Sequence, residues 1–171
     1  MKCSTLFIAL ASFAGALHAQ TGQPASLITE SKATYTGVKN NLLKAAEKMP
    51  EDAYSFKPTD GQETFGQRIA HVANQIGTCS ALTGERKPSP AAGKTAKADL
   101  VAGLKASFDA CDAAWDAMNE KTAMETTAGR GGQVTKLGSL IRNTNHDSEM
   151  YGYISVYMRL KGVTPPSSEG R

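Results

Sequence analysis

The sequence lacks the motifs on which several common kinds of active site depend. No glycine-rich phosphate loop follows a strand, no serine lies in a nucleophile elbow, and no Cys-x-x-Cys pair is present. These absences exclude the usual P-loop, α/β-hydrolase and dithiol redox sites. Only three histidines occur, His18, His71 and His146. No segment alternates apolar and polar residues as a half-buried strand does, so the sequence predicts an all-α fold.

Charge of one sign is not concentrated anywhere along the chain. The formal net charge is +3, and the lysines are scattered among acidic residues rather than collected into a stripe. Surfaces that bind nucleic acids or anionic membranes usually carry such a basic stripe. We therefore expect no nucleic acid among the partners and, once the N-terminal segment is removed, no membrane.

The N-terminus has the pattern of a secretory signal peptide. Lys2 precedes an apolar run over Leu6–Leu17, and the small residue Ala19 follows, in the order of a charged region, an apolar region and a cleavage site. The run is shorter than the roughly 20 apolar residues that cross a bilayer, and no second such run follows. We predict a signal peptide at residues 1–19, a single domain at residues 20–171, and a periplasmic or secreted protein.

Two cysteines remain after Cys3 leaves with the signal peptide, namely Cys79 and Cys111. An even pair in an exported protein favours a disulfide, because such proteins mature in oxidising compartments. Two small buried thiols are the alternative.

Four segments carry apolar residues at helical spacing, and stretches with proline and glycine separate them. The segments are Ser26–Met49, Glu63–Gly84, Thr95–Met118 and Thr135–Lys161. Asp60 with Glu63 has the spacing of a capping box for the second helix, and Thr95 is the predicted cap of the third. Residues 120–134 are predicted to form a loop that could shelter the entrance to a site.

The positions of the cysteines favour parallel second and third helices. Cys79 lies sixteen residues after Glu63, and Cys111 lies sixteen residues after Thr95. In an antiparallel hairpin Cys111 would lie roughly 18 Å too far along its helix, whereas a disulfide tolerates about 7 Å between α-carbons. Residues 84–94 reach about 36 Å when extended, which suffices for a return along the bundle. We therefore predict a four-helix bundle with up-down-down-up topology.

Specific motifs lie at the passage into the second helix and along the last one. They are Lys48–Thr59, Phe65–Ala73, His146–Tyr153 and Tyr157–Pro166. In these motifs, and over essentially the whole chain after the signal peptide, the sequence resembles the DinB-like superfamily of metalloenzyme-type bundles. The resemblance implies a four-helix bundle with the same up-down-down-up order of helices.

In that family three histidines on two helices usually hold a divalent metal. The resemblance assigns the first of them to His71 and the second to His146, but the third position falls on Met150, one helical turn further on. Imidazole is a good ligand for zinc or nickel, whereas a thioether selects soft ions such as Cu(I). The resemblance therefore implies a degenerate site for zinc or nickel, with copper less favoured. Met150 alternatively serves as a filler of the core.

Two functions are compatible with this resemblance. One is a metal-dependent transferase or hydrolase, similar to the thiol-dependent enzymes of the superfamily. The other is a non-catalytic exported bundle that binds a small molecule or a partner after its metal site has decayed. Loss of the third histidine favours the second function, and so does export, because thiol cosubstrates of that kind are mainly cytosolic. Pairing of two copies through a helix face is a further expectation for such a bundle.

Overall fold

The structure, a computed structural model, describes residues 26–129 and 131–170. The predicted signal peptide at residues 1–19 lies outside the described residues. The elements follow in the order α1 (Leu27–Lys48), α2 (Phe65–Ala73), α3 (Ile76–Thr83), α4 (Lys97–Asp116), α5 (Glu120–Met124), β1 (Thr126–Gly129), β2 (Gly132–Thr135) and α6 (Lys136–Leu160). Short 3-10 helices lie at Glu51–Ser55 and Pro166–Ser168.

Four helical segments make up the bundle, which confirms the predicted all-α fold class. They are α1, the consecutive pair α2 and α3, α4, and α6. The hydroxyls of Ser26 and Thr135 accept hydrogen bonds from the backbone of Thr29 and Gly138 and so cap α1 and α6. Such N-cap hydroxyls satisfy backbone donors that the first helical turn leaves free. The predicted bounds of both helices agree with these caps.

The pair α2 and α3 runs in the same direction as α4. The Ser107 hydroxyl donates to the carbonyl of Ala73 at 2.8 Å. Further along both helices, Cys79 forms a disulfide with Cys111, and their α-carbons lie 4.8 Å apart. The two contacts advance together along the helices, as the parallel arrangement requires. The predicted disulfide is confirmed.

Helix α1 runs antiparallel to α4. The Lys32 ammonium lies 2.6 Å from a carboxylate oxygen of Asp116 at one end of the pair. At the other end, Lys97 donates to the carbonyl of Met49 at 2.8 Å. These contacts join α1 to α4 at both ends, while α2 and α6 form the neighbouring pair that carries the two histidines.

The segment from residue 84 to 96 returns along α4 as a crossover. Ala91 is almost completely buried and packs on α4 at Gly103, where an added methyl group would lie 3.1 Å from the Ala91 β-carbon. The backbone N–H of Lys87 donates to the Ser80 hydroxyl at 2.9 Å and fixes the start of the segment. A connection of this kind is what two parallel consecutive helices need.

The core fills the space between all four helical segments. Its largest fully buried side chains are Trp115, Tyr35, Phe65, Phe108, Leu42, Met49, Ile69, Leu100, Leu104, Leu140, Ile154 and Met158. Burial of side chains of this size contributes about 1.5–3 kcal/mol each. Within residues 26–129 and 131–170, no helix is long and apolar enough to cross a membrane.

The predicted caps of the second and third helices are wrong. Helix α2 begins after Thr64, whose hydroxyl accepts from the backbone of Gln67 while the Gln67 side chain accepts from the Thr64 backbone. This reciprocal capping box, rather than the one predicted from Asp60, satisfies the first donors of the helix. Helix α4 begins after Ala96, which has extended backbone angles and makes no side-chain cap.

The predicted second helix is in fact two helices. It breaks at Asn74 and Gln75, whose N–H groups bond to the carbonyls of His71 and Val72 at 3.2 and 3.0 Å. These bonds span three residues instead of four, so the last turn of α2 tightens before α3 begins at Ile76. The break places His71 in the last turn of α2, where its side chain is half-buried while Val72 and Ala73 are fully buried.

The predicted loop at residues 120–134 instead contains α5 and a β-hairpin. Strands β1 and β2 pair antiparallel, with Thr126 opposite Thr135 and Gly129 opposite Gly132. The turn uses positive φ values at Gly131 and Gly132, which glycine adopts at little cost. Four-residue strands are too short to show an alternating pattern, so the sequence did not reveal them.

Candidate functional site

The structure brings His71 of α2 and His146 of α6 together. Their ring centroids lie 5.2 Å apart, and the ring planes are inclined by 25°. Each side chain is about two-fifths exposed, at 39% and 42%. Because α2 and α6 run antiparallel, the residues that flank one histidine face those that flank the other. The two imidazoles therefore share a position at the rim of the bundle, open to a ligand from solvent.

A carboxylate lies beside each imidazole. Nδ1 of His71 lies 3.6 Å from Oε1 of Glu63, and Nδ1 of His146 lies 3.9 Å from Oδ1 of Asp147. Both distances are longer than a hydrogen bond. The carboxylates therefore act on the imidazoles as nearby negative charges.

Asp147 is an unusual acid because it is nearly fully buried. Burial raises the pKa of the Asp147 carboxyl to about 6, since desolvation disfavours the charged form. The Asp147 side chain in turn raises the pKa of His146. Oδ2 of Asp147 accepts from Asn143 at 3.3 Å, and Asn143 also donates to Gln75 at 2.7 Å. Within the described residues, Oδ1 of Asp147 has no hydrogen-bond partner.

A guanidinium group occupies the neighbourhood of Met150. The Arg68 side chain is only 13% exposed, and its Nη1 lies 3.0 Å from Oε2 of Glu63. The same nitrogen lies 3.8 Å from the sulfur of Met150. The Arg68 guanidinium also lies over the ring of Tyr153, 4.8 Å from its centroid. A cation is therefore fixed next to the position that the family resemblance assigns to a third metal ligand.

This donor set does not fit a tightly held catalytic metal. Two imidazoles with carboxylates beside Nδ1 correspond to part of a zinc site, but a catalytic zinc takes three protein ligands. The third position carries a thioether whose sulfur contacts the Arg68 guanidinium, and a nearby cation opposes a dication. Across residues 26–129 and 131–170, no three His, Cys, Asp or Glu side chains group together in a way that would hold an ion.

A comparison with protein families identifies the family of this chain. The model of the DinB superfamily matches residues 34–154, a range that includes both histidines, Met150 and the disulfide. The chain belongs to the DinB superfamily. No curated protein matches this DinB-superfamily chain.

Solved DinB-like structures share the fold of this chain. A DinB-like protein from Bacillus cereus ATCC 10987 has 21% sequence identity and a TM-score of 0.68, with 81% of this chain and 95% of that one covered. A DinB-like protein from Bacillus subtilis has 18% identity and a TM-score of 0.62, with 79% and 93% covered. A conserved protein from Enterococcus faecalis has 14% identity and a TM-score of 0.65, with 80% and 97% covered. At these identities the likeness concerns the fold alone.

Two charged groups of the site were missed at the level of sequence, namely Arg68 and Asp147. Arg68 precedes His71 by three positions, which places both side chains on one face of α2. That spacing is a signal that could have revealed Arg68. Asp147 directly follows His146, and nothing in the sequence indicates that this acid is buried while its neighbour is half exposed.

Proposed function

We propose that this chain is an exported DinB-superfamily protein that binds a small molecule and whose histidine pair does not hold a catalytic divalent metal. The observation that carries the proposal is the contact between the Met150 sulfur and the Arg68 guanidinium. It puts a thioether and a fixed positive charge where the family has an imidazole. His71 and His146 are then the only protein ligands left for a divalent ion, and two neutral imidazoles bind such an ion weakly.

The disulfide supports the exported location. Cys79 and Cys111 are fully buried in the core, where a persistent disulfide is typical of proteins that fold in an oxidising compartment. The signal-peptide pattern over residues 1–19 points the same way. Periplasmic location or secretion is measured by fractionation of cells that express the full chain. Processed protein is expected outside the cytoplasm, and an Ala19→Arg variant is expected to remain unprocessed.

Elemental analysis tests the loss of the metal. The purified protein and a His71→Ala variant are analysed for zinc, nickel and copper, with the exposed neighbour Asn74→Ala as a matched control on the same helix end. We expect substoichiometric metal in all three proteins. We also expect no rise in melting temperature when zinc, nickel or Cu(I) is added. One equivalent of zinc or nickel that disappears only in the His71→Ala variant would instead indicate a metal-dependent transferase or hydrolase.

Pairing of two copies stays a prediction that light scattering can test. Three large apolar side chains of α6 are exposed, at 42% for Tyr153, 52% for Val156 and 57% for Leu160. They recur at helical spacing along one side of α6. If this face pairs two copies, Val156→Lys is expected to convert a dimer into a monomer.

A further inference from the structure

A cavity opens beside His146, on the side of that residue away from Met150. Its volume is about 580 Å³, and it lies between α3, strand β1 and α6. Arg86, Arg142, Asn143, His146, Thr78 and Leu82 are among its lining residues. Pockets that bind small molecules commonly have volumes of about 300–1,000 Å³. The cavity therefore has the size for a small organic ligand, and it extends from the histidine pair.

Two positive charges without carboxylate partners line this cavity. In the part of the chain that the structure describes, neither Arg86 nor Arg142 makes an ion pair within 4.0 Å, although other Arg and Lys side chains do. No acidic side chain is among the residues that line the cavity. Guanidinium groups match carboxylate and phosphate oxygens with paired hydrogen bonds. The charge of the cavity thus favours an anion.

Each guanidinium lies close to the backbone of a glycine. A methyl group added to Gly77 on α3 would lie 3.2 Å from Nη2 of Arg86 and 3.3 Å from its Cζ and Nε. A methyl group added to Gly129 on β1 would lie 3.1 Å from Nη2 of Arg142. The absence of a β-carbon at Gly77 lets the Arg86 guanidinium lie against the main chain, whereas at Gly129 it chiefly makes room for Val134, whose methyl carbons would lie 2.7 and 2.9 Å from the added group. Both guanidinium groups therefore lie at the walls of the cavity.

We propose that this cavity binds a small organic anion, with a carboxylate or phosphate group held by Arg86 and Arg142. The hydroxyl of Thr78 can donate a neutral hydrogen bond, and Leu82 offers an apolar surface to the body of the ligand. His146, one of the two residues of the histidine pair, also lines the cavity. This inference rests on the binding function proposed above and names its class of ligand.

Matched pairs of charged and neutral probes test the inference. Calorimetry and thermal shift are applied to the purified protein with succinate against succinamide, phenyl phosphate against phenol, and inorganic phosphate alone. The variants are Arg86→Gln and Arg142→Gln, and Arg159→Gln, on the same helix as Arg142 but outside the cavity, is the control. We expect one or more anions to bind with a Kd near or below about 1 mM. Each cavity variant is expected to weaken that binding roughly tenfold, while the control leaves it unchanged.

The outcomes separate this inference from the proposal on the metal. Preference for the carboxylate or the phosphate probe identifies which anion the cavity takes. Equal binding of the neutral partners, binding that both cavity variants leave intact, or no binding of any anionic probe at about 10 mM, ten times the expected Kd, would overturn the inference. A metal-free protein that fails these tests would still agree with the loss of the catalytic metal. A protein with stoichiometric metal would contradict the proposed function whatever the anion result.

Discussion

Removal of the disulfide is expected to lower stability by a predictable amount. Cys79 and Cys111 are 32 residues apart in sequence and link α3 to α4. The cross-link restricts the unfolded chain, and the loop-entropy relation gives about 3–4 kcal/mol for a loop of this length. The variant with both Cys79→Ala and Cys111→Ala should therefore unfold with a free energy lower by about 3–4 kcal/mol. For a domain of this size the melting temperature should fall by roughly 6–16 °C.

Urea denaturation with and without reductant provides the assay for this prediction. Both cysteines are fully buried, so the wild type should need prolonged reduction under unfolding conditions before it approaches the stability of the double variant. The double variant is its own control, because reductant should leave its midpoint unchanged. A loss of less than about 1 kcal/mol, well under the entropic estimate, would refute the reasoning that the cross-link limits the unfolded ensemble.

Further substitutions test the core, the buried phenols and the ion pair. Leu104→Ala should lower the free energy of unfolding by about 2–5 kcal/mol in urea denaturation, and a smaller loss would contradict its fully buried position. Burial raises the pKa values of Tyr35 and Tyr54. Their buried neutral phenols therefore contribute fully to the free energy of unfolding below about pH 10, and this contribution is lost as the pH rises further. Tyr35→Phe and Tyr54→Phe should each leave the phenolate absorbance of the folded protein unchanged at about pH 11, whereas loss of one phenolate would contradict burial. Arg68→Met should cost about 0.5–1 kcal/mol, because it removes the cation nearest to the partly exposed Glu63 carboxylate, and an unchanged urea midpoint would mean that the ion pair contributes nothing.

The fold could be predicted where local signals were unambiguous. The hydroxyls of Ser26 and Thr135 cap α1 and α6, and the predicted starts of both helices agree with the structure. The second helix has two consecutive capping-box patterns, and local pattern alone cannot choose between Asp60 and Thr64. In the structure, helix α2 begins after Thr64. The N–H of Phe65 donates to the carbonyl of Phe56 at 2.9 Å, and this bond fixes the position of the first residue of the helix. That contact is tertiary, so no sequence window contains it.

The histidine pair could be anticipated from family motifs, but its surroundings could not. His71 and His146 lie 75 positions apart in sequence, and only the antiparallel packing of α2 on α6 places them side by side. The same packing sets Arg68 against Met150, a contact that depends on the depth and register of two helices. Likewise, Arg86 and Arg142 lie 56 positions apart in sequence and line one cavity only through the packing of α3 against α6. Register between helices therefore determines the chemistry of the site, and the periodicity of each helix does not reveal that register.

Restoring the missing ligand tests most directly whether the third position decides metal binding. Zinc is titrated by calorimetry into the wild-type protein and into a Met150→His variant, with Met158→His in the core of the same helix as the control. The variant should bind one zinc at least roughly ten times more tightly than the wild type, as expected when a third imidazole completes the set. If the wild type binds one zinc as tightly as the Met150→His variant, the account of a lost catalytic metal is contradicted.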